Sequence, residues 1–285
     1  MTYKECYQYG REILQKAEVP EADLDARLLL EYVCNTSRND LLVHGDKEVE
    51  SALWEQYKML IAKRESRIPL QHITGVQEFC GLTFAVNEHV LIPRQDTEIL
   101  VEQALKRMAP GMKVLDMCTG SGCILISLLS LCQGVSGVGA DISDKALKVA
   151  RENGVSILSI QDGTDKDAKL TWVQSDLFEN IEGSFDVIVS NPPYIKTAVI
   201  EELMPEVKVF EPMGALDGME DGLFFYRKIV EKSISYLNKN GWLLFEIGHD
   251  QGEEVSTLMA DAGYEDIKVV KDYAGFDRVV LGRLG

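Results

Sequence analysis

No apolar run in this sequence is long enough to cross a bilayer. The most apolar stretch, Cys123 to Cys132, covers ten residues and includes Ser127 and Ser130, whereas a spanning helix needs roughly 20 apolar residues. No membrane partner is expected. Met1-Thr2-Tyr3-Lys4-Glu5 is not followed by an apolar h-region, so no secretory leader and a cytoplasmic location are expected. The six cysteines, Cys6, Cys34, Cys80, Cys118, Cys123 and Cys132, include no C-x-x-C pair. They read as reduced thiols, not as a disulfide framework, and no metal site is expected. Positive charge is in short supply: 29 Lys and Arg stand against 46 Asp and Glu, a net of −17. Proteins that grip a phosphate backbone usually carry the opposite sign, so the balance weighs against a direct nucleic-acid partner without closing off a local basic face. There is no internal repeat and no low-complexity segment.

What is present is an ordinary globular balance, 46% hydrophobic and 26% charged over 285 residues, enough for one large domain or two smaller ones. Residues 1–74 read as a small helical domain. Leu24, Leu28, Leu29, Leu30 and Val33 recur at helical spacing behind Pro20, and Leu53, Trp54, Tyr57, Leu60 and Ile61 mark a further helix. Residues 75–92 read as a linking β-hairpin, with Phe79, Leu82, Phe84 and Val86 near Gly75, Gly81 and Asn87. From residue 93 to 285, apolar strands alternate with helical patterns. Strands are expected at Lys113–Asp116, Val135–Asp141, Leu170–Gln174, Phe185–Ser190 and Trp242–Ile247, with a closing pair at Lys268–Val270 and Val279–Leu281. Helices are expected over Cys123–Leu131 and through Ala146, Leu147 and Ala150. The fold class is α/β, a doubly wound, mainly parallel sheet of seven strands.

In such sheets the ligand sits beyond the carboxyl ends of the strands. Asp116-Met-Cys-Thr-Gly120-Ser-Gly122 occupies one of these strand-to-helix turns. Its two glycines allow close backbone approach to a ligand, although a G-x-G alone fits a plain turn equally well. A dinucleotide fingerprint needs a third glycine where this chain has Leu125, which weakens a nicotinamide reading. Asp141, 25 residues after Asp116, ends the second strand, where a carboxylate can accept both hydroxyls of a ribose. The competing role of helix cap falls more naturally to Ser143 or Asp144. Asp176, beyond the third strand, suits a hydrogen bond from an adenine amino group, and a turn aspartate suits the position equally.

The sharpest signal is Asn191-Pro192-Pro193-Tyr194 directly after the fourth strand. Two prolines remove two backbone donors. Acceptors remain, the carbonyls and the Asn191 side-chain oxygen, beside the Tyr194 ring, and this array suits a planar NH₂ group. A proline-stopped strand explains the prolines but not the residues flanking them.

Together these segments resemble the class I methyltransferases that use S-adenosylmethionine to alkylate an amino or amide nitrogen. Leu91-Ile-Pro-Arg-Gln-Asp-Thr-Glu98, Glu78-Phe-Cys-Gly-Leu-Thr-Phe84, Glu211-Pro-Met-Gly-Ala-Leu-Asp-Gly218 and Asp277-Arg-Val279 narrow the resemblance to the release-factor glutamine methyltransferases over nearly the whole chain. That resemblance implies a Rossmann-like methyltransferase domain, an N-terminal docking domain and the cofactor S-adenosylmethionine, released as S-adenosylhomocysteine. It also implies class I peptide chain release factors as protein substrate, methylated on the glutamine of their Gly-Gly-Gln loop in translation termination. The cofactor contacts it implies are Asp116, Cys118, Thr119, Gly120, Ser121, Gly122, Asp141, Asp176, Leu177 and Asn191. The glutamine contacts are Asn191, Pro192, Pro193 and Tyr194, with Asn191, Pro192 and Tyr194 as the catalytic set. Three residues depart from the family pattern: Cys118 and Met219 stand where glycine is common, and Gln95 where proline follows the arginine. Two rival readings exist. Amino-methyltransferases acting on nucleic-acid bases share the Asn/Asp-Pro-Pro-aromatic motif, and would flip the base, but the acidic balance weighs against them. A binding module that kept the fold and lost catalysis is disfavoured by the intact Asn191–Tyr194 segment.

Overall fold

A computed structural model describes residues 1–158 and 170–285. These divide into two units. The first is Met1–Val76 with Met204–Phe210, and the second is Gln77–Leu203 with Glu211–Gly285. The sequence predicts an unbroken third segment from 93 onward and a separate linker. The compact units are drawn by packing alone: the hairpin falls almost wholly in the second, and residues 204–210 in the first.

The first unit contains α1 (Tyr3–Lys16), α2 (Ala22–Cys34), α3 (Arg38–Val43), α4 (Ser51–Glu65) and α5 (Leu70–Thr74), with a helical turn at Pro205–Lys208. A capping box starts α1: the Thr2 hydroxyl accepts from Glu5 N, and the Glu5 carboxylate accepts from Thr2 N. Leu14, Leu29, Leu30, Tyr57 and Ile61 form the dry centre. The Tyr57 hydroxyl donates to Ala26 O at 3.0 Å. Tyr57 also lies so close to α1 that a Cβ on Gly10 would stand 2.1 Å from its oxygen. The inward face of α2 is rotated from the predicted one. Asp25, Ala26, Leu29, Leu30 and Val33 are buried, while Leu24 and Leu28 are half-buried.

An aspartate turns inward because it has a partner. Arg64, with only 6% of its side chain exposed, donates from Nε to Asp25 at 2.7 Å and from Nη2 to Glu206 at 2.9 Å. Arg67 forks onto both Glu206 oxygens at 2.7 Å. This is why 204–210 belongs to the helical unit. Burial opposes the charge on Glu206, but the guanidinium hydrogen bonds outweigh it and hold the carboxyl down to about 2, from 4.5. The folded form therefore refuses a proton that the unfolded form takes. The stability this group lends is complete above 4.5 and is lost as pH falls toward 2. Arg64→Ala, which leaves buried Asp25 without its cation while Glu206 keeps Arg67, should lower stability by about 3–5 kcal/mol in urea titrations. Glu206→Gln should flatten the acid limb of the stability curve.

In the second unit, β1 (Val76–Phe79) and β2 (Leu82–Ala85) form the hairpin. Cys80 and Gly81 both take positive φ, as a two-residue turn of matching twist requires. Phe79 and Phe84 meet edge to face beneath it. The chain continues through α6 (Glu98–Leu105), β3 (Lys113–Met117), α7 (Cys123–Leu131), β4 (Ser136–Asp141), α8 (Asp144–Leu158), β5 (Leu170–Gln174), β6 (Phe185–Ser190), α9 (Phe224–Ser233), β7 (Leu237–Glu246), α10 (Gly252–Asp261), β8 (Tyr264–Lys271) and β9 (Asp277–Leu284). The seven-stranded sheet has the order β5-β4-β3-β6-β7-β9-β8. Its first five strands are parallel, and β9 runs antiparallel to β7 and β8. Side chains alternate between two faces. Val114, Val187, Val189 and Leu244 pack with α6 and α7, while Leu115, Ile188, Leu243 and Phe245 pack with α9 and α10. The doubly wound α/β fold is as the sequence predicts. Among the described residues no helix is long and apolar enough to cross a membrane.

Candidate active site

Parallel pairing aligns the strand ends. Met117 lies beside Ala140 and Ser190, and Ser190 lies beside Phe245. The Ser190 hydroxyl donates to Met117 O at 2.6 Å, which fastens β6 to β3 at the last rung. The segments leaving these strands surround a cavity of about 300 Å³. Its walls include Cys118 to Ser121 after β3, Asp141 after β4, Asp176 and Leu177 after β5, and Asn191 and Pro193 after β6. Of the other residues singled out in the sequence, Asp116, Gly122, Pro192 and Tyr194 do not line it.

The loop after β3 takes left-handed backbone at alternate residues, with φ of 63° at Cys118, 55° at Gly120 and 79° at Gly122. Gly120 faces open space, whereas a Cβ on Gly122 would lie 2.8 Å from the Trp172 ring. Cys118 adopts with a side chain a conformation that glycine takes freely. Burial, reinforced by Asp141, pushes its thiol pKa up, so it stays protonated. Asp116 is fully buried under the loop and accepts the Thr119 hydroxyl at 2.6 Å. Burial raises its carboxyl to about 7. It shapes the loop from below.

Asp141 ties two loops together. One oxygen accepts from Gly120 N and the other from Ser143 N, both at 2.9 Å. Burial raises the Asp141 pKa, and the Ser143 and Gly120 donors pull it back. Ser143 caps α8 by accepting from Ala146 N at 3.1 Å. Asp176 is exposed at the cavity edge. Beside it the Ser175 hydroxyl holds the turn by donating to Leu177 O at 2.6 Å.

Asn191 is half-buried, and its Nδ2 donates to Thr97 Oγ1 at 3.4 Å. The Tyr194 hydroxyl reaches Glu246 Oε1 at 3.4 Å. Burial pushes the Tyr194 phenol up, so it stays neutral. Behind the motif, Gln251 Nε2 donates to Tyr194 O at 3.1 Å. A Cβ on Gly218 or Gly222 would collide with the Tyr194 backbone. Arg94, at the cavity rim, pairs with buried Glu211 at 2.6 Å. Sequence reasoning missed Thr97, Glu246 and Gln251 as parts of the site. Glu246 had a signal: it is the one charged residue in the run Trp242–Ile247.

A doubly wound sheet with a cavity beyond β3, β4 and β6, a left-handed glycine loop, and Asn-Pro-Pro-Tyr at its wall define an S-adenosylmethionine-dependent methyltransferase. Comparison with known proteins agrees. Residues 5–75 match the PrmC N-terminal domain profile, and residues 94–208 match the methyltransferase small domain. The chain is 41% identical over 285 residues to the release factor glutamine methyltransferase of Geobacter sulfurreducens, covering 100% of this chain and 97% of that one. The enzyme of the same name from Clostridium botulinum is 38% identical, with 99% of each chain covered. A methyltransferase structure from Pyrococcus furiosus, 15% identical, aligns with a TM-score of 0.50 over 81% of this chain and 99% of that one, a likeness of fold. The chain belongs to the release factor glutamine methyltransferase family.

The residues fit the cofactor in size and character. The cavity is at the scale of small-ligand sites, roughly 300–1,000 Å³, and Gly120 leaves free space where a side chain would intrude. Two substitutions separate fit from folding. Gly120→Ala should lose about 1–2 kcal/mol from its left-handed backbone, and its methyl group should weaken S-adenosylmethionine binding in calorimetry. Gly122→Ala carries the same strain plus the Trp172 overlap, so its urea midpoint should fall further.

Proposed function

We propose that this enzyme methylates the side-chain amide nitrogen of the glutamine in the Gly-Gly-Gln loop of class I peptide chain release factors, in the cytoplasm. The observation that carries this reading is the reach of the family match, which extends through the helical unit as well as the methyltransferase domain. Enzymes that methylate nucleic-acid bases share the Asn-Pro-Pro-aromatic segment alone, and the acidic net charge supports a protein substrate over a phosphate backbone. Residues 1–74 are read as the docking domain, 75–92 as the linker and 93–285 as the catalytic domain.

S-adenosylmethionine supplies an electrophilic methyl group. The residues proposed to hold it are Asp141 for the ribose hydroxyls, Asp176 and Leu177 for the adenine, and the Cys118–Gly122 loop for the amino-acid moiety, with Asp116 keeping that loop in shape. A carboxamide nitrogen is a poor nucleophile because its lone pair is delocalised, and it is far too weak an acid for an ordinary base to ionise. Positioning is therefore the available device. The Asn191 side-chain oxygen and the Pro192 carbonyl would each accept one amide hydrogen, aim the lone pair in line with the methyl group and meet the charge that develops on nitrogen. As the nitrogen–methyl bond forms the methyl–sulfur bond breaks, leaving a neutral thioether, and the nitrogen gives up one of its two hydrogens as a proton to water. Tyr194, neutral and braced on Glu246, packs beside the amide plane.

Asn191→Ala should lower single-turnover rates by about 10²–10³, the loss typical of one oriented polar contact to the reacting group. Cofactor affinity should fall far less. The substrate class is tested by methyl incorporation into whole release factor, its glutamine-to-alanine variant, duplex DNA and a loop peptide. Release factor alone should be an efficient acceptor, with the peptide much poorer because it lacks the contacts made remote from the reacting loop. Incorporation into DNA, or equal incorporation into the alanine variant, would refute the assignment.

A further inference from the structure

The strands β1 and β2 form a sheet of two, and a two-stranded ribbon is marginal in water unless something packs on it. Asn153, 2% exposed on α8, grips its edge. Ala85 N, at the end of β2, donates to Asn153 Oδ1 at 2.8 Å, and Asn153 Nδ2 donates back to Ala85 O at 3.1 Å. A neighbouring strand would exchange the same pair of bonds. Nδ2 also donates to Ser121 O, at 2.9 Å. These partners settle which way round the amide lies: the two carbonyls can only accept, and the backbone N–H can only donate.

Both segments that Asn153 holds lead to the cavity. Ser121 lines it from the loop after β3, between left-handed Gly120 and Gly122. Ala85 runs on into His89, Val90 and Leu91, which line another part of the wall. The residues between are held in place. Val86 and Val90 pack with Ala146 and Val149 of α8, and Asn87 Oδ1 accepts from His89 N at 3.0 Å. The turn of the hairpin is fastened separately, by Cys80 N on Glu98 at 2.7 Å. One buried side chain therefore joins two stretches of cavity wall that come from different parts of the chain.

We infer that Asn153 is a positioning residue for S-adenosylmethionine: its amide sets the end of the hairpin against the glycine loop, so that the cofactor meets two walls already in register. The inference rests on the cofactor contacts proposed above and extends them to a residue outside the cavity lining. It also gives the hairpin a duty within the methyltransferase unit. Ala85 does not line the cavity, yet through Asn153 its order and cofactor binding become linked. Cofactor that steadies Ser121 steadies Ala85, and cutting the link weakens the cofactor in return.

The first test needs no substitution. Amide hydrogen exchange is followed by NMR on the full-length wild type, with and without saturating S-adenosylhomocysteine. The amides of the Cys118–Gly122 loop and the Ala85 amide should all gain protection when the ligand binds. Two variants then cut the link. Asn153→Asp keeps an acceptor for Ala85 N but turns lone pairs toward the Ala85 and Ser121 carbonyls, and Asn153→Ala removes all three bonds. In Asn153→Asp the loop should still respond to ligand while Ala85 does not. In both variants the calorimetric dissociation constant for S-adenosylmethionine should rise about tenfold, the scale of one net hydrogen bond. Single-turnover rates on whole release factor at saturating cofactor should stay at the wild-type level, because Asn153 acts on binding and not on the reacting atoms. An amide that only supports the fold would lower the urea midpoint of the variants and leave their affinity intact, and that result would overturn the inference. Loop protection without Ala85 protection in the wild type would also overturn it, even if neither variant folds. Ligand that leaves the loop amides themselves unchanged would remove the cofactor contacts proposed for the cavity, and the inference with them.

Discussion

Parallel pairing between β3, β4, β6 and β7 brings residues from distant parts of the chain to one rim. Cys118, Asp141, Asn191 and Glu246 become neighbours because the strands before them end level, and the Ser190–Met117 bond locks the last rung of the central pair. A shift of one residue would move each of these side chains to the opposite face of the sheet. Packing on both faces opposes such a slip, since it would exchange Val187, Val189 and Leu244 in one layer with Ile188 and Phe245 in the other. The site is held by the same packing that holds the fold.

The motif Leu91–Glu98 shows how short a segment can organise that rim. Ile92 N and the Arg94 guanidinium both bond to Glu211, Asp96 pairs with Arg278 on β9, and Thr97 meets Asn191. Glu98 accepts from Cys80 N at the hairpin turn at 2.7 Å. The departures from the family pattern also find their places. Gln95 opens a 3₁₀ turn, a position that suits proline. Cys118 and Met219 both adopt left-handed backbone, φ of 63° and 69°, where the family pattern has glycine.

Much of the second unit was legible because its strands bury both faces and read as apolar runs. The loops that carry Asp141, Asp176 and Asn191 follow from where those runs stop. Legibility failed where polar residues do structural duty. β7 begins at Leu237, five residues before the predicted run, because Asn238–Gly241 stay in the strand with Lys239 and Asn240 exposed and the register irregular. The face of α2 was misplaced because Asp25, which hydropathy assigns to solvent, turns inward to Arg64. Glu246 was passed over for a related reason: a carboxylate inside an apolar strand has meaning only once its partner is known, and that partner, Tyr194, lies 52 residues away. The pairing of Glu206 with Arg64 spans 142 residues and leaves no local pattern at all.

That last pairing bears on how such a protein is assembled and inherited. The helical unit looks like a detachable N-terminal module, but its buried arginine is neutralised by a glutamate encoded far downstream, inside the stretch that otherwise builds the methyltransferase domain. A ribosome that has finished the helices has not finished the unit: until residue 206 emerges, Arg64 lacks one of its two carboxylates. Exchange of the N-terminal domain between relatives must therefore carry the 204–210 segment with it, and the two units are bound to a common history although their cores are separate.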